Sequence, residues 1–476
     1  MRHYDLAVIG AGSGLIVMEE ALKHGKTVAV IEKGEFGGTC LNRGCIPSKM
    51  LVYPADLIRE AQRGERVGVT FSEPKVDWKK ITRRMRRQTD VNKDLESDLE
   101  KTPGLTLYKG EAKFEDPHTL SVSLKDGGSE RLSADDIVIA AGARTRVPVI
   151  AGLEEAGYIT SESFFGDKFP SKPYDSLLVY GGGSTACEIA HIFSAFGTKV
   201  TLAVRSETIL RGFDGEIGPF VGKELEAAGV RVLYYALAQS IRNENGLKTV
   251  EFQDARSGER YPVSAQEVFI ASGIIPNTDR LNLASAQVET DMNGYVSTDS
   301  RLATSVPHIW ALGDINGKFP LRHKANYEAG ILNDNLYGKG TLRADYSSVP
   351  QAVFTHPQAA GVGLSEAEAH GLYADRVRVY RNHYSEVVAG IAMGYSRRRE
   401  DNGFAKIITD DKGRILGVHI VGPQAAALVQ PYAFLMNAGG PEQAEIKGTW
   451  IPVEQSMTIH PALSELPAWA LVYKQE

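Results

Sequence analysis

Short apolar runs, each closed by a glycine or a charged residue, recur along this chain and alternate with stretches of helical period. Leu6-Ala7-Val8-Ile9 runs into Gly10, a helix through Glu19, Glu20 and Ala21 follows, and Thr27-Val28-Ala29-Val30-Ile31 then closes on Glu32. The same order returns at Leu177-Leu178-Val179-Tyr180 and at Lys199-Val200-Thr201-Leu202-Ala203-Val204. Such runs, separated by helices, predict parallel strands buried on both faces. Ile137-Val138-Ile139-Ala140-Ala141-Gly142-Ala143 and Val268-Phe269-Ile270-Ala271-Ser272-Gly273 read as two more buried strands ending at similar turns. Strand-like pieces fill Thr106 to Arg131. One helix is amphipathic: Trp78, Ile81 and Met85 share a stripe, ringed by Lys79, Lys80, Arg83, Arg84, Arg86 and Arg87. Its charged side is a solvated face or a dock for an acidic partner. Beyond Val349 strands alternate with a few helices, and Asp410-Asp411-Lys412-Gly413 predicts a hairpin turn.

The two strand–helix–strand segments carry glycine turns suited to a pyrophosphate. In Gly10-Ala11-Gly12-Ser13-Gly14-Leu15, Gly10 permits the tight turn and Gly12 admits a close backbone approach. Leu15 stands in the third glycine slot, so a larger side chain is expected between helix and strand. Glu32 falls twenty residues past Gly12, where a carboxylate accepts from a ribose 2′-OH. In the second turn, Gly181-Gly182-Gly183-Ser184, the strand that follows ends at Arg205, with Arg211 six residues on. Cations in place of an acid suit a 2′-phosphate and favour NADP(H) over NAD(H); otherwise they are two solvated arginines. One turn paired with Glu and one with Arg imply two dinucleotides. A flavin kept at the first and a nicotinamide visiting the second would form a hydride relay.

A chain of 476 residues is too long for one core. The pattern predicts an α/β architecture of two Rossmann-like dinucleotide-binding domains and an α+β C-terminal domain. The expected segments are 1–150 and 276–347 for the first domain, 151–275 for the nicotinamide domain and 348–476 for the last. With 43% apolar and 24% charged residues the composition is that of an ordinary globular protein, and a net charge of −6 argues against nucleic acid as a partner. No apolar run has membrane-spanning length, and the first strand leads directly into Gly10 rather than a cleavage site. A reducing cytoplasm is the expected setting, where a close cysteine pair is catalytic or metal-binding more often than structural.

Two of the three cysteines, Cys40 and Cys45, lie five apart just after the first turn, in Gly37-Gly38-Thr39-Cys40-Leu41-Asn42-Arg43-Gly44-Cys45-Ile46-Pro47-Ser48-Lys49. Structural zinc wants a second Cys/His pair, which is missing, so no metal is expected. Cys187 reads as a packing residue. Near the chain end, His460-Pro461-Ala462-Leu463-Ser464-Glu465 places a carboxylate about one helical turn beyond an imidazole. Thiol–disulfide exchange needs a group that can accept and return a proton near neutral pH, and His is that group; the alternative is a structural histidine. Asp314, after Ile309-Trp310-Ala311-Leu312-Gly313, could accept from a cofactor hydroxyl or simply close a turn.

Together these motifs resemble the class I pyridine nucleotide-disulfide oxidoreductases, the flavoprotein disulfide reductases, from Tyr4 to Glu465. Gly38–Lys49 and His460–Glu465 are most similar to dihydrolipoamide dehydrogenases. Arg205 and Arg211, and Gly422–Pro431 with Ala427 in place of a family Glu, look like glutathione and mycothione reductases. The resemblance implies FAD on Gly10, Gly12, Glu32, Gly38, Thr39, Gly142 and Asp314, and the nicotinamide on Gly181, Gly183, Arg205, Arg211 and Gly273. It implies that Cys45 faces the flavin and that Cys40 attacks substrate. Lys49 would pair with Glu188 near the flavin, and His460 with Glu465 would act on Cys40 of the partner subunit in a homodimer. It also implies a dihydrolipoamide dehydrogenase-like oxidoreductase acting on a small dithiol, disulfide or lipoyl-bearing protein. The alternative is an NADPH-dependent reductase of a low-molecular-weight disulfide. A last stretch without cysteine, Tyr473–Glu476, fits neither mercuric nor large thioredoxin reductases, and Cys40 separates the chain from soluble transhydrogenases. Three positions depart from the family. Ser184 stands where glutathione reductases carry a gating aromatic, and Ile274 replaces a common arginine. Arg43 replaces a small apolar residue between the thiols; facing them it would favour a thiolate, and facing solvent it would do nothing.

Overall fold

The computed structural model describes residues 1–438, 453 and 455–461. The chain forms two compact units, each assembled from separated stretches: residues 1–47, 86–144 and 274–346 in one, and 48–85, 145–273 and 347 onward in the other.

In the first unit a parallel layer runs in the order Leu105–Phe114, Val28–Glu32, Arg2–Ile9, Ser129–Ile139, Ile309–Ala311. The outer halves of Leu105–Phe114 and Ser129–Ile139 turn aside to pair antiparallel with Thr119–Leu124. The alternation of the strands explains the two-sided burial. Leu6, Val8, Val28 and Val30 face the helix Gly14–Lys23 through Val17, Met18 and Ala21, while Ala7, Ile9, Ala29 and Ile31 face Leu281, Leu283 and Val288. Each such aliphatic side chain contributes about 2 kcal/mol of transfer free energy. Ile9 is level with both Ile31 and Ile139, and Ile139 with Ala311. The turns at Gly10, Glu32, Ala140 and Leu312 therefore gather at one edge, the carboxyl ends of the strands, where open α/β sheets bind ligands.

The second unit repeats the plan. Its parallel sheet has the order Glu267–Ile270, Ser176–Tyr180, Lys199–Ala203, Arg231–Leu233, and Tyr180 is level with Ile270 and Ala203. A three-stranded antiparallel meander, Ala236–Glu244, Leu247–Asp254 and Arg260–Ala265, lies beside it in sequence. A five-stranded antiparallel sheet follows: Gln351–Val353, Gln358–Gly363, Ile415–Gly422, Phe404–Thr409, Arg378–His383. The helix Ala425–Asn437 packs on it through Ala425, Ala426, Val429 and Ala433. The helix Cys45–Arg63 buries Leu51, Val52, Ala55 and Ile58 in the same core as Ile189, Ile192 and Phe193 of the helix Ser184–Ala195. In the helix Trp78–Thr89, Trp78 stacks on Phe169 at 5.6 Å and Met85 is fully buried, whereas Lys79, Lys80, Arg83, Arg84 and Arg87 are exposed. Among the described residues no helix is long and apolar enough to cross a membrane.

Candidate active site

The first glycine turn is built on backbone contacts that exclude side chains. A Cβ on Gly10, at φ +108°, would sit 2.3 Å from the carbonyl oxygen of Ala140, and one on Gly38 would sit 2.8 Å from Gly12 Cα. Gly14 takes over the close-packing role of the missing third glycine: a Cβ there would meet Val8 Cγ1 at 2.7 Å, so Leu15 is accommodated as a buried residue one step on. The Glu32 carboxylate accepts from the Ala11 N–H at 2.8 Å through one oxygen and from the Gly34 N–H at 2.7 Å through the other. That fixes its plane beside the turn while lone pairs remain for a ligand hydroxyl. A small cavity of about 50 Å³ continues from there, lined by Gly10, Glu32, Gly110, Ala112, Ala141 and Asn277 among others. Asn277 is itself held by the next glycine turn, donating Nδ2–H to Ala141 O at 2.8 Å and N–H to Gly142 O at 3.1 Å.

Asp314 lies in the tight turn Gly313–Asn316 that follows the strand Ile309–Ala311. It keeps some accessible surface but is surrounded by protein at longer range, and burial pushes its carboxyl above the ordinary value, against the opposing pull of Lys324. A partly accessible carboxyl in a tight turn, a glycine cradle that a Cβ would fill, and a fixed ribose-type acceptor form a donor and acceptor set that fits FAD.

The thiols come together as the spacing implies. Cys40 sits in the helix Gly38–Arg43 and Cys45 opens the helix Cys45–Arg63; both are half-buried, with their Sγ atoms within 4.8 Å of each other. Asn42 anchors the segment, donating from Nδ2 to the carbonyls of Phe36 and Gly38 at 3.0 Å each and accepting from Asn92 at 2.7 Å. Arg43 is half-buried and reaches back along its own unit. Its Nη2 lies 3.3 Å from where a Cβ on Gly34 would stand, and Glu32 Oε1 lies 3.3 Å from the same point. The cation is therefore directed at the turn after Glu32, an environment that neither expectation for it included.

Lys49, one turn into the helix Cys45–Arg63, meets Glu188 at 2.7 Å, with side-chain exposures of 22% and 9%. The other Glu188 oxygen accepts from the Phe354 N–H at 3.1 Å, and the Lys49 ammonium lies 4.4 Å from the centre of the Phe354 ring. Cys187 beside it points the other way into the core, fully buried, and burial pushes its thiol up.

The second glycine turn mirrors the first. A Cβ on Gly181 would sit 2.1 Å from Ala271 O, as one on Gly10 would against Ala140 O, whereas Gly183 and Gly273 face open space. The loop after the strand Lys199–Ala203 is pinned to it, because Leu210, in the left-handed region at φ +53°, donates to Gly182 O at 2.7 Å. Arg205 and Arg211 are exposed on that loop. Ser184, which opens the helix Ser184–Ala195, is half-buried and small. His460 is half-buried beside the buried Ile459, whose N–H donates to Gln430 Oε1 at 2.9 Å; Glu465 lies outside the described residues.

Several residues of this site had no sequence signal. Arg322 Nη1 comes within 3.9 Å of a Cβ position on Gly12, a cation beside the first glycine turn. Gly110 and Ala112 line the cavity from a strand that looked merely structural, and Phe354 braces Lys49 from a distant loop.

The pyridine nucleotide-disulphide oxidoreductase model matches residues 4–329, and the dimerisation domain of the same family matches residues 349–471. The chain is 31% identical over 464 residues to a glutathione reductase of Burkholderia cepacia, covering 97% of both proteins. It is 31% identical over 483 residues to the mycothione reductase of Mycobacterium tuberculosis, covering 99% of both. In structure it is similar to the Cu(II) complex of the HOCl-induced flavoprotein disulfide reductase RclA from Escherichia coli, with a TM-score of 0.80 at 25% identity over 99% of this chain and all of that one. The paired glycine turns, the close thiols and these matches along almost its whole length place the chain in the pyridine nucleotide-disulphide oxidoreductase family of FAD-dependent enzymes acting on sulfur groups.

Proposed function

We propose that this enzyme reduces a low-molecular-weight disulfide at the expense of NADPH. The observation that carries the nucleotide choice is the pair Arg205 and Arg211 on a loop tied to Gly182, at the strand end where an acid would hold a free ribose hydroxyl. FAD, held by Gly10, Gly12, Glu32, Gly38, Thr39, Gly142 and Asp314, supplies a two-electron relay between nicotinamide and thiols when bound. Gly181, Gly183 and Gly273 leave room for the nicotinamide dinucleotide. Lys49 holds a positive charge where the relay needs one, and Glu188 fixes its position.

The substrate steps belong to the side chains. Cys40, as a thiolate, attacks one sulfur of the substrate disulfide, whose S–S bond breaks as the mixed disulfide forms. His460, oriented by Glu465 and acting on Cys40 of the partner subunit in a homodimer, gives its proton to the departing thiolate. Cys45 then attacks Cys40, releases the second product thiol and leaves the Cys40–Cys45 disulfide, which the next two electrons reopen. The sum is NADPH, a proton and a disulfide giving NADP⁺ and two thiols.

A second reading, oxidation of a dihydrolipoyl group by the same steps reversed, is favoured by the sequence of the Gly38–Lys49 segment. Steady-state assays of NADH and NADPH against lipoamide, glutathione disulfide and other small disulfides separate the two. Preference for NADPH with a small disulfide is expected, and the paired change Arg205→Glu with Arg211→Ala should swing it toward NADH. Strong NADH preference in the unaltered enzyme, or a ratio unmoved by the paired change, would reject the nucleotide assignment.

A further inference from the structure

Beneath Asp314 the first unit buries a complete ion pair that the chemistry above does not use. Lys324 and Glu328, four apart on the helix Arg322–Tyr337, are both 0% exposed and 3.2 Å apart. Neither is spent on a neighbouring helix. Lys324 Nζ donates to Gly313 O at 3.0 Å and to Asn316 Oδ1 at 3.1 Å. Glu328 accepts from the Gly313 N–H at 2.7 Å, from Asn316 Nδ2 at 2.7 Å and from the Tyr346 hydroxyl at 2.6 Å. The pair thus grips both ends of the turn Gly313–Asn316 and both peptide groups of Gly313, a residue at φ +80°.

Geometry makes that grip specific for Asp314. The carbonyl of Gly313 and the N–H of Asp314 belong to one planar trans peptide and point in opposite directions. A lysine holding the carbonyl inward therefore turns the Asp314 N–H away from the pair. Stability alone does not account for the arrangement, since a buried ion pair is on average no more stabilising than apolar residues of the same volume. A single turn held at two backbone groups and one side chain is, by contrast, what a cofactor contact requires.

We infer that Lys324 and Glu328 are positioning residues, which hold the Asp314 turn so that its carboxylate and N–H are preset for FAD. The inference rests on the reading of Asp314 as an FAD ligand. Its test is FAD binding by apoprotein, followed by flavin fluorescence, with far-UV circular dichroism melts of the same apoproteins. Lys324→Met with Glu328→Gln keeps the volume and the acceptor for Gly313 and removes both charges. It should raise the FAD Kd roughly tenfold, the loss of one charge-assisted hydrogen bond, with the apoprotein still folded. Asp314→Asn should raise it by a similar factor. If Asp314→Asn weakens FAD and the double variant binds it as the unaltered chain does, the positioning role is wrong. If Asp314→Asn itself leaves the Kd unchanged, the ligand reading fails and the inference with it. Should the double variant not fold, Lys324→Arg serves instead: it retains the charge but cannot place one nitrogen on the same three acceptors, and an unchanged Kd there equally overturns the role.

Discussion

Replacing Lys49 by Met isolates a buried carboxylate, and the consequence can be worked from the geometry. Glu188 lies 2.7 Å from the ammonium, with one further hydrogen bond from Phe354 N–H at 3.1 Å. At that separation the gross attraction is about 6 kcal/mol for an effective dielectric near 20. Most of it offsets the desolvation of both groups, and breaking such a pair from one side costs about 3–5 kcal/mol. Protonation sets a tighter limit, because a stranded carboxylate can take up a proton instead. At pH 7 that route costs about 3.7 kcal/mol from an ordinary Glu pKa of about 4.3, and at pH 5 about 1 kcal/mol. Lys49→Met should therefore be destabilised in a strongly pH-dependent way, by about 3–4 kcal/mol at pH 7 and about 1 kcal/mol at pH 5. In melts of the apoprotein followed by circular dichroism this is a difference from the unaltered chain of roughly 5–10 °C that narrows on acidification. Lys49→Met with Glu188→Gln removes the stranded charge and should recover most of the loss at pH 7. A deficit that is the same at pH 5 and pH 7, or a double variant no better than the single, would refute the reasoning.

The histidines buried away from the reaction set a second pH window. Burial lowers His191 despite its 2.8 Å bond to Asp56, and lowers His419 despite its bond to the Leu364 carbonyl. The unfolded chain therefore binds more protons below about pH 6.5, so stability is full above that value and falls as pH drops toward the folded-state values. Melting temperature should fall by roughly 2–5 °C between pH 7 and pH 5 for each histidine, and His191→Gln should flatten the slope; an unaltered slope would contradict the assignment. Arg43→Val should raise the FAD Kd several-fold, roughly the worth of a part-buried charge, and leave the pH midpoint for alkylation of Cys40 unmoved. An upward move of that midpoint by about one unit would put the charge back on the thiols.

How far the sequence could be read depends on whether the signal was local. The glycine turns were legible because backbone sterics demand them: at Gly10 and Gly181 any Cβ would fall within 2.3 Å and 2.1 Å of a carbonyl oxygen. The strands that supply those carbonyls end alike, in Ala140-Ala141-Gly142 and Ala271-Ser272-Gly273, so the repeat of one nucleotide-binding plan was visible twice over. The meeting of Lys49 with Glu188, 139 residues apart, came from the family resemblance, since nothing in either segment specifies the other. The interleaving of residues 48–85 with the second unit had no local sign either, because it follows from Leu51, Val52, Ala55 and Ile58 matching a core supplied more than a hundred residues later.

The two charged features that matter most were opaque for a different reason. Lys324 and Glu328 have the spacing of an ordinary solvent-exposed helix pair, and only the packing of the turn Gly313–Asn316 over them makes the pair buried. Arg43 is the converse. Its position between the thiols suggested a role set by sequence neighbours, but a guanidinium reaches several ångströms from its Cα. Here it extends to Gly34, nine residues earlier and beside Glu32. A long cation placed between two cysteines is thereby directed at the turn beside Glu32, and a Cβ at Gly34 would press on its Nη2 at 3.3 Å.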